Sequence, residues 1–158
     1  PEGTGVLLQN RGSFFSLDKQ HINHLAPGKR TFHTLNPAML LKDGKPLLVY
    51  GTMGGDGQPQ TQAAVFTRYA VFGQAVQQAI TAPRWLLGRT WGQSSDSLKL
   101  ESRFAPEIID GLRKLGHEVD VIAEFDEMVG HAAAIVRDAD GIFAGGFDPR
   151  SNGIAAGF

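Results

Sequence analysis

The segment AMLLKDGKPLLVYG, residues 38 to 51, constrains the fold more than any other part of this sequence. Two apolar runs flank Asp43-Gly44, a dipeptide favoured where a two-residue hairpin turn requires positive φ. The segment AAAIVRDADGIFAGG repeats this design around residues 139 to 141. Two predicted hairpins therefore place an antiparallel sheet at the centre of the fold.

Three helices are predicted between these hairpins. Apolar residues recur at helical spacing from Thr61 to Phe72, and a shorter helix from Gln74 to Thr81 ends before Pro83. A third helix begins at Pro106 and ends at Gly116. Its apolar face comprises Ile108, Ile109, Leu112 and Leu115.

The remaining segments complete an α+β pattern. The stretches GVLLQ (residues 5 to 9), SLKLES and HEVDVI are predicted strands, and residues 16 to 29 are a predicted loop. Because strands pair as hairpins and helices occur in sequential groups, the sequence favours a layered α+β sheet over an alternating parallel one. The 158 residues are the size of one domain, so we predict a single domain over 1–158.

Composition excludes several classes of function. Fifteen basic and sixteen acidic residues give a net charge of -1, which supplies no basic face for nucleic acid. No apolar run is long enough for a membrane span. With no cysteine, disulfides and thiolate chemistry are excluded. His21 and His24 are spaced as zinc ligands but have no obvious third partner, so we predict neither metal nor cofactor.

The glycine pair Gly54-Gly55 follows directly after the second strand of the first hairpin. Three interpretations are open: a tight turn from strand to helix, a phosphate cradle, or an oxyanion hole made of two consecutive main-chain amides. The segment lacks both the lysine ending of a P-loop and the spacing of a dinucleotide-binding turn. Sequence spacing alone does not decide between the other two.

Three ordered segments resemble the gamma-glutamyltranspeptidase family of N-terminal-nucleophile hydrolases, in its small-subunit portion. They are PGKRTFHTLNPAMLLKDGKPLLVYGTMGG, ITAPRW and FDPRSNGIAAGF. The resemblance implies a four-layer αββα sandwich, and a zymogen that cuts itself to free an N-terminal threonine. It also implies that Gly54 and Gly55 form the oxyanion hole, in an acyltransferase or hydrolase linked to glutathione metabolism. Because Pro1 is not that threonine, we expect a C-terminal part of the small subunit, inactive without the nucleophile-bearing segment and the large subunit.

The substrate-binding positions depart from the family pattern. Asn10, Arg11 and Phe14 lie in QNRGSFFS, where the family has Asn-Asn-Gln-Met-Asp-Asp-Phe-Ser. Phe14 replaces an acidic residue that would pair with the α-amino group of a γ-glutamyl substrate. Arg11 either binds a carboxylate, as in a dicarboxylic acyl group, or is an ordinary surface arginine. His33 and Thr34 replace a pair of serines that contact the substrate carboxylate.

These departures indicate an acylase-like branch with weak activity on γ-glutamyl compounds. We predict acyl transfer from a small-molecule amide to water or an amine, and a subunit that assembles as a heterodimer or oligomer. The rival hypothesis is a noncatalytic scaffold or binding module of the same fold. A threonine encoded at a cleavage junction just upstream would favour the enzyme.

Overall fold

The computed structural model describes residues 3–6, 9–89 and 95–157, in two compact units that comprise residues 1–35 and 36–158. The first unit contains a 3-10 turn, Arg11–Phe14, and a parallel bridge between Ser16 and His24. The described residues of this unit form no other helix or strand, which agrees with the loop predicted over residues 16 to 29. The core of the predicted strand at 5 to 9, Leu7 and Leu8, lies outside the described residues.

The second unit is built on a four-stranded antiparallel sheet, and both predicted hairpins are confirmed. Its strands are hydrogen-bonded in the order β1 (Ala38–Lys42), β2 (Lys45–Thr52), β6 (Ala132–Arg137) and β7 (Phe143–Phe147). Asp43 and Gly44 turn the first hairpin with φ of 51° and 75°, the positive values that an Asp-Gly turn allows.

Two helices cover one face of this sheet. Helix α1 spans Gln58–Phe66, continues into a π-helical turn at Thr67–Val71, and is followed by α2 at Val76–Thr81. The apolar residues between helices and sheet are fully buried, since one face of each strand points to the helices. This core comprises Leu48, Val65, Ile80, Ala132, Ala134 and Val136.

The other face of the four-stranded sheet is apolar and exposed. Val49 and Ile135 are neighbours in register on β2 and β6, and they are 44% and 52% exposed. Phe143 on β7 is 68% exposed. Residues 154 to 157 border this face. Exposed apolar patches of this kind are typical of contact surfaces.

The isolated 158-residue chain is therefore expected to self-associate, and Ile135→Gln with Phe143→Gln is expected to shift it toward monomer. Sedimentation velocity over a range of concentrations measures both effects. The matched control is Ile22→Gln with Phe72→Gln, which changes exposed apolar residues that are not part of this face. A clean monomer of the unmodified chain at high concentration would refute this prediction.

A second sheet of three strands was only partly predicted. Strands β3 (Trp85–Leu87) and β4 (Leu98–Glu101) are antiparallel, whereas β4 and β5 (Val119–Ile122) are parallel. The parallel pair is joined through helix α3, Pro106–Lys114, which begins at Pro106 as predicted. The sequence predicts hairpin pairing, so the parallel pairing of β4 with β5 was not predicted. The strand at residues 85 to 87 was not predicted either.

Helix α3 is less buried than its apolar pattern suggests. Ile109 is 8% exposed, whereas Ile108 is 50% and Leu115 is 79% exposed. Gly116, with φ of 92°, ends the helix as predicted. Among the described residues, no helix combines the length and apolarity needed to cross a membrane.

Candidate active site

The glycine pair lies at the junction between β2 and α1. Gly54 has φ 132° and ψ 23°, and Gly55 has φ 49°, so both adopt positive φ. Gly54 is buried and Gly55 half-buried. The Gly54 geometry is strained for any residue with a Cβ atom, which explains why a glycine stands there. The backbone therefore bends sharply between β2 and α1.

The main-chain N–H groups of this pair find no acceptor in the part of the chain that the structure describes. Within the described ranges, no hydrogen bond is donated by the amide of Gly54 or of Gly55. The preceding amide, Met53 N, donates to His131 O over 3.4 Å, and Gly57 N donates to Gly54 O over 2.7 Å. Two consecutive donors thus stay available at the start of a helical segment, where the backbone dipoles favour negative charge.

Two glutamines hold the chain just after the pair. Gln58 is buried, and its Nε2 donates to Gly55 O over 3.2 Å. Gln60 makes two bonds to one backbone residue, donating to Leu87 O (3.0 Å) and accepting from Leu87 N (2.8 Å). These contacts fix the first turn of α1 to Gly55 on one side and to β3 on the other.

A buried ionic cluster lies in the second unit. Arg150 donates through Nε and Nη2 to the two carboxylate oxygens of Glu101, both over 2.6 Å, and through Nη1 to Asp148 Oδ1 over 3.0 Å. Asp148 Oδ2 accepts from Arg84 Nη2 and from Ala132 N. The Asp148–Arg150 pair therefore belongs to a larger cluster that also contains Arg84 and Glu101.

This cluster holds two guanidinium groups and two carboxylates out of water, and the partly exposed Arg103 lies at its edge, with Nη1 3.5 Å from Glu101 Oε2. Burial is the largest cause that lowers the pKa of Arg84 to about 10, and Asp148 opposes that shift. Arg84 therefore stays protonated at neutral pH. Its Nε and Nη1 atoms are buried without a hydrogen-bond partner among the described residues, while its Nη2 also donates to Gly130 O over 3.0 Å.

The predicted substrate-binding residues lie in the first unit, where Arg11 contacts two of the others. Arg11 Nη1 donates to Thr34 Oγ1 over 3.1 Å, and the guanidinium carbon of Arg11 lies 5.4 Å from the centre of the Phe14 ring. Asn10 precedes this turn, and its carbonyl accepts from Ser13 N over 3.0 Å. His33 is exposed beside half-buried Thr34.

Asn23 links the segment that contains Arg11 and Phe14 to the segment that precedes His33 and Thr34. Its Nδ2 donates to Phe14 O over 2.6 Å and to Thr31 Oγ1 over 3.1 Å, and its Oδ1 accepts from Phe32 N over 3.3 Å. The Phe14 and Phe32 rings meet edge to face with centres 5.7 Å apart. The cation of Arg11 is thus held beside a hydroxyl and an aromatic face, an arrangement suited to a small carboxylate.

The family model described as Gamma-glutamyltranspeptidase matches residues 1–158. This chain belongs to the gamma-glutamyltranspeptidase family. The chain is 65% identical, over 98% of its length, to the oxamate amidohydrolase proenzyme of Klebsiella pneumoniae, and 55% identical to the glutathione hydrolase-like YwrD proenzyme of Bacillus subtilis, also over 98%. It spans 29% of the length of each.

Structural comparison agrees with this assignment. The structure of a cephalosporin acylase from Bacillus halodurans matches 98% of this chain and 28% of its own chain, with 39% identity and a TM-score of 0.81. The α+β fold predicted from the hairpins is therefore shared with an enzyme of the N-terminal-nucleophile class. The predicted family and fold class are confirmed.

Sequence reasoning missed several residues of this gamma-glutamyltranspeptidase region. Arg84 and Glu101 were not singled out, although Arg84 lies in ITAPRW, one of the segments that carried the resemblance. Gly130 is an isolated glycine before a strand, a pattern that indicates a close approach of another backbone segment and could have identified this position. Among the described residues, no group of three His, Cys, Asp or Glu is placed to hold a metal ion, and His24 instead contacts Lys29 Nζ at 3.4 Å. Trp91 lies outside the described residues.

Proposed function

We propose that the whole protein is an amidohydrolase that hydrolyses a small amide whose acyl group carries a carboxylate. Gly54 and Gly55 are its oxyanion donors. The observation that carries this proposal is the pair of consecutive main-chain amides, at positive φ, that no described residue uses. The 65% identity to a relative named oxamate amidohydrolase supports oxamate as the substrate to test first.

The chemistry requires a nucleophile that attacks the amide carbonyl and an environment that stabilises the resulting oxyanion. In this family an N-terminal threonine would supply the nucleophile, its own α-amine taking the hydroxyl proton. The tetrahedral intermediate carries its negative charge on the former carbonyl oxygen, where two backbone N–H groups are effective donors. Collapse breaks the C–N bond, the amine leaves with a proton, and water then hydrolyses the acyl-enzyme ester.

Arg11 is the proposed anchor for the substrate carboxylate, and Thr34 orients the Arg11 guanidinium. Phe14 stands where the family has an acidic residue. The guanidinium already donates to Thr34 Oγ1, which fixes its direction. A planar guanidinium binds a carboxylate through two parallel hydrogen bonds, whereas an acidic residue at position 14 would repel it. Asn10 and His33 are proposed as further walls of the pocket, because they flank Arg11 and Thr34 in sequence.

The partner of this chain is proposed to be the remainder of the same precursor. The two curated relatives are proenzymes, and this chain spans 29% of each. The exposed apolar face of the four-stranded sheet supplies a surface for such a partner. We therefore propose that the chain alone is inactive and that the precursor matures by cutting itself.

The test is a comparison of substrates on the whole purified protein. Ammonia release from oxamate is expected to exceed release of product from a γ-glutamyl anilide, in kcat/KM. A whole protein that turns over the γ-glutamyl compound at least as fast as oxamate would contradict the acylase-like assignment. A whole protein that matures but hydrolyses no amide would favour the scaffold hypothesis.

Arg11→Gln is expected to raise KM for oxamate about 10- to 100-fold, because a charge-assisted hydrogen bond is worth roughly 1.5–3 kcal/mol. Oxamide, the neutral diamide of the same size, is expected to be hydrolysed at an unchanged rate by this variant. Initial-rate kinetics on both compounds give the ratio that isolates the carboxylate contact.

The matched control for this prediction is Arg30→Gln, which removes the same charge from an exposed position of the same unit. The oxamate-to-oxamide ratio is expected to stay constant in the control. An equal ratio in wild type and in Arg11→Gln would show that Arg11 is an ordinary surface arginine.

A further inference from the structure

Gly130 adopts a backbone conformation that only glycine tolerates. It lies directly before β6, is buried, and has φ 86° and ψ 165°. This region of backbone space is essentially closed to residues with a Cβ atom. The surroundings of Gly130 are the end of β2 and the first turns of α1.

A Cβ atom at position 130 would meet the two residues that precede the glycine pair. It would lie 2.6 Å from Thr52 Oγ1, 2.8 Å from Met53 O and 3.3 Å from Thr61 Oγ1. Met53 O belongs to the backbone, so relief of that contact requires the backbone to move, whereas the two threonine hydroxyls can rotate about χ1. Gly54 follows Met53 immediately, so that movement passes directly to the first proposed oxyanion donor.

Three hydrogen bonds hold the backbone around Gly130 in this place. Met53 N donates to His131 O over 3.4 Å, and Thr61 Oγ1 donates to Val129 O over 2.9 Å. Arg84 Nη2 donates to Gly130 O over 3.0 Å. The segment from 129 to 131 is therefore fixed to β2, to α1 and to the buried ionic cluster at once.

We propose that Gly130 is a positioning residue for the oxyanion glycines, setting where β2 ends and hence where the amides of Gly54 and Gly55 lie. This inference rests on the proposed function of the glycine pair. Gly130 contacts no reacting atom in this account and acts only through Thr52 and Met53. Because a displacement of about 1 Å can cost on the order of 100-fold in rate, close packing at this glycine has a catalytic consequence.

The test is Gly130→Ala in the whole, matured protein. We expect kcat for the best amide substrate to fall by about 10-fold or more, with KM changed less than about 3-fold, since the carboxylate anchor is untouched. A crystal structure of the variant is expected to show the Met53–Gly55 backbone displaced. The matched control is Gly116→Ala, which has a similarly positive φ of 92° but no atom within 4 Å of the added Cβ.

A second pair of variants tests the same coupling without backbone strain. Thr61→Val removes the hydroxyl that binds Val129 O, while Thr67→Val removes one that binds Ala63 O and Ala64 O on its own helix. We expect Thr61→Val to lower kcat several-fold at constant KM and Thr67→Val to leave both unchanged. This comparison applies even if Gly130→Ala fails to fold or to mature.

The outcomes separate the positioning inference from the proposed function. If the wild-type protein hydrolyses amides but Gly130→Ala and Thr61→Val lose no more kcat than their controls, the positioning role is refuted. If the wild type hydrolyses no amide, the proposed function fails, and the displacement of Met53–Gly55 in the Gly130→Ala crystal structure still decides the coupling. An undisplaced backbone in that structure would also overturn the inference.

Discussion

Gly54→Ala is expected to lower kcat of the whole, matured protein about 100- to 1000-fold, with little change in KM. Loss of one oxyanion donor typically costs about that factor. At φ 132° an alanine cannot keep the backbone in place, so the amides of Gly54 and Gly55 rotate away from their present direction. Because the oxyanion exists only in the transition state, ground-state binding is spared.

The control for this prediction is Gly44→Ala in the turn of the first hairpin. Gly44 also has positive φ, 75°, and a Cβ atom there would meet nothing within 4 Å. It is expected to cost only stability, of order 1 kcal/mol, and to leave kcat within about 2-fold. Equal kcat in Gly54→Ala and Gly44→Ala would show that the glycine pair is only a tight turn.

Glu101→Gln is expected to lower the free energy of unfolding by about 3–5 kcal/mol. Glu101 is fully buried and accepts from Arg150 Nε, Arg150 Nη2 and the main-chain N of Arg84. A neutral amide leaves two buried guanidinium groups opposite one carboxylate, Asp148. The desolvation cost of the second cation is then no longer offset.

Urea unfolding of the whole protein, followed by circular dichroism, measures this loss. Glu107→Gln, at an exposed position in the first turn of α3, is the matched control and is expected to change stability by under about 1 kcal/mol. A Glu101→Gln protein as stable as that control would mean that the cluster contributes nothing net. Retained stability with lost activity would instead indicate a catalytic role for the cluster.

The four-stranded sheet could be predicted because its signals are local. Asp43-Gly44 specifies a two-residue turn, and apolar runs on both sides set the strands that it joins. Pro106 and Gly116 similarly mark the ends of α3 within a residue or two. These features depend on neighbours in sequence, so no knowledge of tertiary contacts was needed.

The parallel pairing of β4 with β5 and the exposure of α3 depend on contacts that the local pattern does not contain. The alternation in HEVDVI is compatible with a parallel or an antiparallel partner, and only the crossover through α3 decides. An amphipathic helix indicates that one face will be covered, not that this chain covers it. Ile108 remains half exposed for that reason.

The sequence indicates the glycine pair of the candidate site but not the buried ionic cluster. Gly54 and Gly55 stand out as a pair after a strand, and a family resemblance gave them a role that spacing alone left open. The cluster of Arg84, Glu101, Asp148 and Arg150 is assembled from segments up to 66 positions apart in the sequence. Arg84 pairs with Asp148, and Arg150 pairs with Asp148 and Glu101. No periodicity in a single sequence carries such long-range pairings.

The most direct test of the central claim is a crystal structure of the whole, matured protein with a covalent tetrahedral adduct, such as one formed from an aldehyde or boronate analogue of its amide substrate. We expect the main-chain N atoms of Gly54 and Gly55 both to lie about 2.7–3.1 Å from the adduct oxygen. An adduct oxygen held by other groups, with these two amides turned away or bonded internally, would contradict it.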